Sequence, residues 1–287
     1  MAKILHKEQL SQDVYLMRVH APLIVEERQA GQFIILQTDE EYGERIPLTI
    51  ADANEEEGSI TLIFQVVGKT TTELSQFNVG DDLPVLVGPL GQPTHIQNYG
   101  KVVCVGGGIG VAPLHPIAQS LKAAGNEVTI IMGARTKELI ILEKEMEEIA
   151  DNLIICTDDG SYGRKALVTE PLKELCENEE TKPDMVIAIG PPIMMKFCSL
   201  TTKPYGVFTQ VSLNTIMVDG TGMCGGCRVN VGGQVKFVCV DGPEFDGHLV
   251  DFDNMMARLN SYKDIEQEAA HKCHVDKQFE EKVEETK

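Results

Sequence analysis

The chain has 287 residues, 43% of them apolar, no Trp, and a formal net charge of −19. That length allows two or three domains around a sizeable core, and that charge argues against a nucleic-acid partner, whose phosphates demand a basic face. The N-terminal run MAKILHKEQLSQD turns polar too early for a signal peptide, and apolar runs such as MVIAIGPPIMM fall short of a bilayer span, so the expectation is a soluble cytoplasmic protein with no membrane partner.

Residues 1–97 read as short β-rich runs: VYLMRVHA, QFIILQT, RIPLTIAD, SITLIFQVV and LPVLVGPLG. Clusters of Gly, Asp, Asn or Glu separate them, and one short helical candidate, TTELSQF, interrupts. This spacing predicts a small antiparallel β-barrel. Arg45 stands on the approach to one strand, and Gly68, Thr70, Thr71 and Thr72 open the helix. Free N–H groups at a helix start suit a diphosphate. Taken singly, the Arg reads equally as a solvated charge and the Thr run as a helix cap.

The pattern changes at GKVVCVGGGIGVAPLHPIAQSLKAAG. A β-branched run meets a glycine turn and then an amphipathic helix. Strands EVTIIMG, NLIICTDDG, DMVIAIGPP and GVFTQVS then alternate with helices KELIILEKEMEEIA, KALVTEPLKELCE and PIMMKFCSLTT. Residues 98–213 therefore predict a doubly wound parallel α/β domain. Gly106, Gly107, Gly108 and Gly110 let the backbone approach a diphosphate at a helix N-terminus; a tight turn without a ligand is the alternative. The dinucleotide pattern GxGxxG fits loosely, because Val111 occupies its third glycine position. Pro113 is tolerated in a first helical turn. Asp158, Asp159, Gly160 and Gly190 all fall at the carboxyl edge of the predicted sheet, where such sheets bind ligands.

Eight Cys in a soluble intracellular chain point to metal rather than to disulfides. Cys104, Cys156, Cys176 and Cys198 lie in apolar strand or helix contexts and read as buried small hydrophobes. Cys224, Cys227 and Cys239 gather in a module over residues 214–250, too short to fold on an apolar core alone. Its spacing is D-x4-C-x2-C-x11-C, from Asp219, Cys224, Cys227 and Cys239. Plant-type [2Fe–2S] sites use C-x4-C-x2-C and a distant fourth Cys. Three thiolates and a carboxylate complete four positions on two irons; zinc on the CxxC is the rival reading. The polar, helix-prone remainder, 251–287, is expected to pack on a partner or fray. Its His271, Cys273 and His274 read as a solvated helix face.

RIPLT, then VGKTT, GPLG, GGGIGVAP and GPP in this order resemble the ferredoxin–NADP reductase superfamily. VDGTGMCGGCRV and FVCVDGPEFDG narrow the resemblance. They are similar to the electron-transfer subunits of type B dihydroorotate dehydrogenases, and more so to the small subunits of NADH-dependent ferredoxin:NADP oxidoreductases. The resemblance implies FAD in the barrel, with Arg45, Pro47, Leu48, Thr49, Phe64, Val66, Gly68, Thr71 and Thr72 lining it. It implies NAD(H) against Gly107, Gly108, Gly110, Pro113, Asp159 and Gly190, with Arg135 at the adenosine end, and a [2Fe–2S] cluster on Asp219, Cys224, Cys227 and Cys239. Hydride then passes between nicotinamide and flavin, and single electrons between flavin and cluster, with no acid–base residue of the chain in the chemistry. The implied partner is a larger flavin and [4Fe–4S] subunit, similar to the small subunit of glutamate synthase, in a heterodimer that serves ferredoxin and bifurcates electrons. The dihydroorotate branch carries Cys where this chain has Asp219. An electron-transfer subunit of a type B dihydroorotate dehydrogenase and a standalone flavin reductase with structural zinc are the alternatives.

Overall fold

The computed structural model describes residues 2–266, 268 and 269. Its first strand, β1 (Ala2–Ser11), is one the sequence pattern hides: Ile4 alone is fully buried, so the run lacks apolar alternation. β2 (Val14–His20), β3 (Phe33–Gln37), β4 (Ile46–Asn54), β5 (Ser59–Gln65), β6 (Asp82–Leu83) and β7 (Val85–Leu90) follow. They form one antiparallel sheet in the order β6-β1-β2-β5-β4-β3-β7. Its two end strands, β6 and β7, are separated in the chain only by Pro84, so the sheet curls back on itself as a nearly closed barrel. Besides the expected helix α2 (Lys69–Leu74), a second helix, α1 (Pro22–Glu27), enters on Pro22, whose fixed φ suits a first helical turn.

The second sheet begins with β8 (Lys101–Gly107), β9 (Glu127–Ala134), β10 (Asn152–Thr157), β11 (Arg164–Lys165), β12 (Met185–Ile189) and β13 (Phe208–Ser212). All of these pair in parallel. Helices α3 (Val111–Ala123), α4 (Glu143–Ile149), α5 (Thr169–Glu177) and α6 (Pro192–Thr202) make the crossovers. The sheet order β11-β10-β9-β8-β12-β13 reverses at β8, which opens a crevice at the carboxyl ends of β8 and β12. The long helix expected over KELIILEKEMEEIA is not continuous. A short 3₁₀ turn, Lys137–Leu139, stops before Ile141, which is buried, and Leu142 takes a left-handed φ of 56° before α4 starts. Burying Ile141 forces the break.

After β13 the chain builds the hairpin β14 (Arg228–Val231) and β15 (Gln234–Phe237) and the one-turn helix α7 (Val238–Asp241). It then returns as β16 (Glu244–Asp246), antiparallel to β13, and ends the second sheet. Helix α8 (Phe252–Leu259) follows. The cysteine module is not an isolated miniature. Met217, Cys227, Val229, Val238 and Cys239 share one core with Val103 and Val105 of β8 and with Phe33 and Ile35 of β3. Packing on neighbours, before any metal, supplies much of what its length cannot. The tail, expected to pack on a partner or fray, does not fray at α8: Phe252 and Met255 are buried in that same core. His271, Cys273 and His274 lie outside the described residues. Cys104, Cys156, Cys176 and Cys198 are buried, and burial pushes the Cys104 and Cys198 thiols up to about 12, as their reading as core residues requires. No helix among the described residues is long and apolar enough to cross a membrane.

Glu244, at the start of β16, ties the parts together. Its carboxylate accepts from Thr94 Oγ1 at 2.7 Å and from Gln210 Nε2 of β13, and a methyl group added at Gly31 would come within 3.2 Å of it. Burial pushes this carboxyl up to about 7. Burial, and then the charge of Glu244, raise the nearby Tyr99 hydroxyl. Between the ordinary carboxylate range and pH 7 the unfolded chain releases this proton while the folded chain keeps it, so Glu244 makes folding less favourable as pH rises through that window. Replacing it in Glu244→Gln should flatten the fall in stability between pH 5 and pH 8 by about 2 kcal/mol, read by urea denaturation at the two pH values.

Candidate cofactor sites

The barrel sheet contains a wedge. β4 pairs with β5 only from Ile50↔Leu62 onward; Ile46–Thr49 pair with β3 alone, and Ile63–Gln65 with β2 alone. Pro47, Leu48 and Thr49 stand half-buried along this opening, and Arg45 stands at its mouth. The Arg45 Nε is buried without a hydrogen-bond partner, so an acceptor from outside the chain is wanted there. The loop before Arg45 meets α2: Thr70 Oγ1 donates to Glu44 at 3.1 Å, and Thr38 Oγ1 to Glu73 at 2.7 Å. Gly68 caps α2 with open space where a Cβ would be. The Thr71 hydroxyl accepts from the Val67 and Gly68 amides at 3.1 Å, and Thr72 Oγ1 donates to the Gly68 carbonyl at 2.8 Å. Both side chains are thus occupied by the cap, which leaves the backbone to meet a ligand. Val66 is half-buried beside them. Phe64 corrects an expectation: its ring is 1% exposed, stacked 6.0 Å from Tyr15. Only its backbone borders the wedge.

At the crevice of the second sheet, Gly107 and Gly110 close β8 against Gly190 at the end of β12. A Cβ at Gly110 would lie 2.4 Å from the Ile189 carbonyl oxygen, and one at Gly107 would lie 2.3 Å from Met194 Sδ. Gly110 is hemmed in by backbone, whereas at Gly107 it is the Met194 side chain that would have to move. Gly108 differs: its φ is +54° and its Cβ position faces nothing, so it is the point where a ligand can touch backbone. Pro113 sits in the first turn of α3, and a second proline, Pro116, lies further inside. Arg135 is exposed after β9, its carbonyl accepting from the Asp159 amide at 3.2 Å. Asp159 accepts from the amide and hydroxyl of Ser161 at 2.9 and 2.7 Å, bonds that hold its carboxyl below the usual range.

The cysteine loop has two halves. Cys227 and Cys239 are both 2% exposed with their sulfurs 3.2 Å apart, and the Cys239 amide reaches Cys227 Sγ at 3.5 Å. Burial, and then Cys227 itself, push the Cys239 thiol up to about 12; two thiolates this close in an apolar setting need a cation between them. Cys224 is exposed, and the Gly226 amide, donating at 3.4 Å, holds its thiol down. Asp219 is adjacent, its backbone amide also favouring the Cys224 thiolate. The Asp219 carboxylate accepts from the amides of Met223 and Thr221 at 3.0 and 2.9 Å and from the Thr221 hydroxyl, which hold it low, with Arg45 adding its charge. Among the described residues no three His, Cys, Asp or Glu groups converge as a single ion requires. Cys227 beside Cys239, and Asp219 beside Cys224, would suit a two-iron cluster better than one tetrahedral zinc.

Sequence reasoning missed what brings these sites together. A Cβ on Gly220, at φ +81°, would lie 2.8 Å from Ile35 and 3.0 Å from Leu90. The cysteine loop therefore rests on β3 and β7, with Arg45 near Asp219. The glycine at 220 is the available signal, since glycine is the residue for positive φ, but its neighbours are distant in sequence.

A curled antiparallel sheet followed by a parallel nucleotide sheet and a cysteine loop defines an NAD(H)-linked, ferredoxin-reductase-type electron-transfer oxidoreductase. A family model for the iron–sulfur cluster binding domain of dihydroorotate dehydrogenase B matches residues 214–251, and one for the oxidoreductase NAD-binding domain matches residues 104–199. A Thermotoga maritima protein named as a dihydroorotate dehydrogenase B electron transfer subunit homolog is 51% identical over 92% of each chain. The corresponding electron transfer subunit of Streptococcus mutans is 35% identical over 80% of this chain and 90% of that one. The chain belongs to this family of electron-transfer subunits and their homologues. A solved NADH-dependent reduced ferredoxin-NADP oxidoreductase, described for flavin-based electron bifurcation, is 48% identical over 96% of this chain and 98% of that one, with a TM-score of 0.90. The cytochrome b5 reductase domain of Ulva prolifera nitrate reductase, 20% identical over 71% of this chain and 92% of that one with a TM-score of 0.57, shares the fold. Family and fold together support FAD, an iron–sulfur cluster and NAD(H) as cofactors.

The two kinds of glycine at the crevice should separate by mutation. Gly110→Ala meets backbone and is expected to cost roughly 2–4 kcal/mol, and to weaken NADH binding at least about tenfold through the displaced loop. Gly108→Ala has space and should cost only about 1 kcal/mol of backbone strain. Thermal unfolding with NADH titration of both variants checks the order.

Proposed function

We propose that the chain is the flavin and iron–sulfur electron-transfer subunit of an NADH-dependent ferredoxin:NADP⁺ oxidoreductase that works by electron bifurcation with a larger flavin and [4Fe–4S] subunit. The observation that carries this reading is the seating of the cysteine loop on β3 and β7, beside Arg45. On this reading a cluster held by the loop would lie next to the barrel wedge. The likeness to the solved ferredoxin-NADP oxidoreductase over nearly the whole chain supports the type of complex. The names of the relatives favour a second reading, an electron-transfer subunit of a dihydroorotate dehydrogenase. Asp219, in place of the Cys of that branch, tilts the choice to the first.

On this reading residues 1–97 hold FAD, 98–213 NAD(H), and 214–250 a [2Fe–2S] cluster. Arg45 offers its unpartnered Nε to the flavin, and Pro47, Leu48 and Thr49 line its ring site. Val66, Gly68, Thr71, Thr72 and the Phe64 backbone shape the approach to α2. Gly108 meets the nicotinamide dinucleotide, and Gly107, Gly110, Pro113 and Gly190 keep the crevice open. Arg135 and Asp159 flank the adenosine end. Cys227 with Cys239, and Asp219 with Cys224, hold the two irons. When bound, FAD exchanges a hydride with NAD(H) and single electrons with the cluster. The chain's own part is placement: β3 fixes barrel against loop, and burial of Cys227 and Cys239 keeps water from one half of the cluster.

The Asp219 assignment is testable by substitution. Asp219→Ala should lose more than about half of the iron and sulfide of the anaerobically purified chain. Asp219→Cys should retain both while shifting the cluster's EPR signal and midpoint potential. Iron, sulfide and potential all unchanged in the Ala variant would remove Asp219 from the ligand set and leave it a brace for the loop.

A further inference from the structure

Two guanidinium groups grip the cysteine loop from outside. Arg228 Nη1 donates to the Gly225 carbonyl at 3.1 Å. Arg258 Nη2, on α8 and 32 residues away, donates to the Gly226 carbonyl at 3.2 Å. The peptide between Gly225 and Gly226 is planar and trans, so its carbonyl and amide point opposite ways. Arg228 takes the carbonyl, and the amide of the same peptide donates to Cys224 Sγ at 3.4 Å. By the same geometry, Arg258 on the next carbonyl turns the Cys227 amide away from itself. Hydrogen bonds from amides to sulfur, and positive charge nearby, are what set a cluster's potential.

The aim of Arg258 is itself built in. Asp251 caps α8 by accepting from the Asn254 amide at 3.0 Å, and Lys196 Nζ binds Asp253 at 2.6 Å. Phe252 and Met255 anchor the helix in the core. Arg258, one turn beyond Met255, is half-buried and walls a groove of about 340 Å³ beside Cys224. The family match on the cysteine module ends at residue 251. Arg258 therefore comes from outside that module.

We propose that Arg258, together with Arg228, is a positioning residue for the cluster, holding the Cys224–Cys227 loop with its amides toward sulfur and raising the cluster's reduction potential. The inference rests on the cluster reading above. Reduction adds negative charge to the site, and a guanidinium held one peptide away stabilises that charge more than the oxidised state. A hydrogen bond that polarises a peptide also strengthens the one made by the peptide's other end.

The test is an EPR-monitored redox titration of the full chain, purified anaerobically, with iron and sulfide counted. Arg258→Gln should keep wild-type iron and sulfide, while its one-electron reduction equilibrium shifts about tenfold toward the oxidised cluster, about 59 mV downward. Arg258→Lys retains the charge and should recover most of that shift. A Gln variant with full iron and a wild-type potential overturns the proposal. If the Gln variant holds no iron, the Lys variant decides: full iron at a potential close to wild type supports the proposal, and loss of iron or a potential lowered by about 59 mV or more overturns it. Absence of iron and sulfide from the wild-type chain itself would instead sink the cluster reading.

Discussion

The spacing between the barrel and the cysteine loop is set by one five-residue strand buried on both faces. Along β3, Ile34 and Leu36 point into the barrel core, and Phe33 and Ile35 point out of it, into a core shared with the nucleotide sheet and the cysteine module. Alternation along a strand makes this double duty possible. A strand with both faces apolar has no solvent face, so it must be covered on both sides. Gly220 on one side and the barrel interior on the other provide the cover. Because close-packed interiors deform little, the loop cannot drift from the barrel without opening a cavity at Ile35. Electron transfer between two cofactors depends steeply on how they are held, and here aliphatic packing at Ile35 and Leu90 sets the loop against the barrel.

The glycines sort by the same criterion. Gly107 and Gly110 exclude side chains because other protein atoms already occupy the space, whereas Gly108 and Gly68 face open volume. A glycine-rich motif therefore mixes residues needed to bring two strand ends together with residues that leave backbone bare for a ligand. Sequence shows all of them as one letter. The loose fit to the dinucleotide pattern, with Val111 in the third position, is consistent with this. Val111 is buried at the start of α3 and fills against Gly106, so the helix and strand approach each other through that pair instead of through a third glycine.

Local signals carried much of the fold. The β–glycine–α alternation after residue 98 and the cysteine spacing are short-range patterns, and the parallel sheet and the loop are where they indicate. What sequence hid was long-range. β1 carries Lys3 and the consecutive run His6, Lys7, Glu8 and Gln9, with only Ile4 deeply buried, because it lies near the end of the barrel sheet. α1 is one short turn whose stability comes from packing Ile24, beyond the reach of propensity. The barrel wedge is a register event, the parting of β4 from β5 ahead of Ile50, and no composition encodes it. Phe64 was legible as a strand residue but not as to which face it takes, and a shift of one position decides between core and site.

Charge distribution completes the logic. A chain with a formal net charge of −19 opposes any further negative charge, and a reducible centre on its surface adds one. Such a chain must bring cations to the centre. Arg45 approaches Asp219 from the barrel, Arg228 comes from the hairpin, and Arg258 from α8. Three different elements each contribute one guanidinium to the same loop, and the delocalised, weakly hydrated arginine head is suited to partly buried carbonyls and carboxylates. The acidic exterior governs how the molecule meets partners at long range. Within the loop, at distances shorter than the screening length, these three neighbours govern instead.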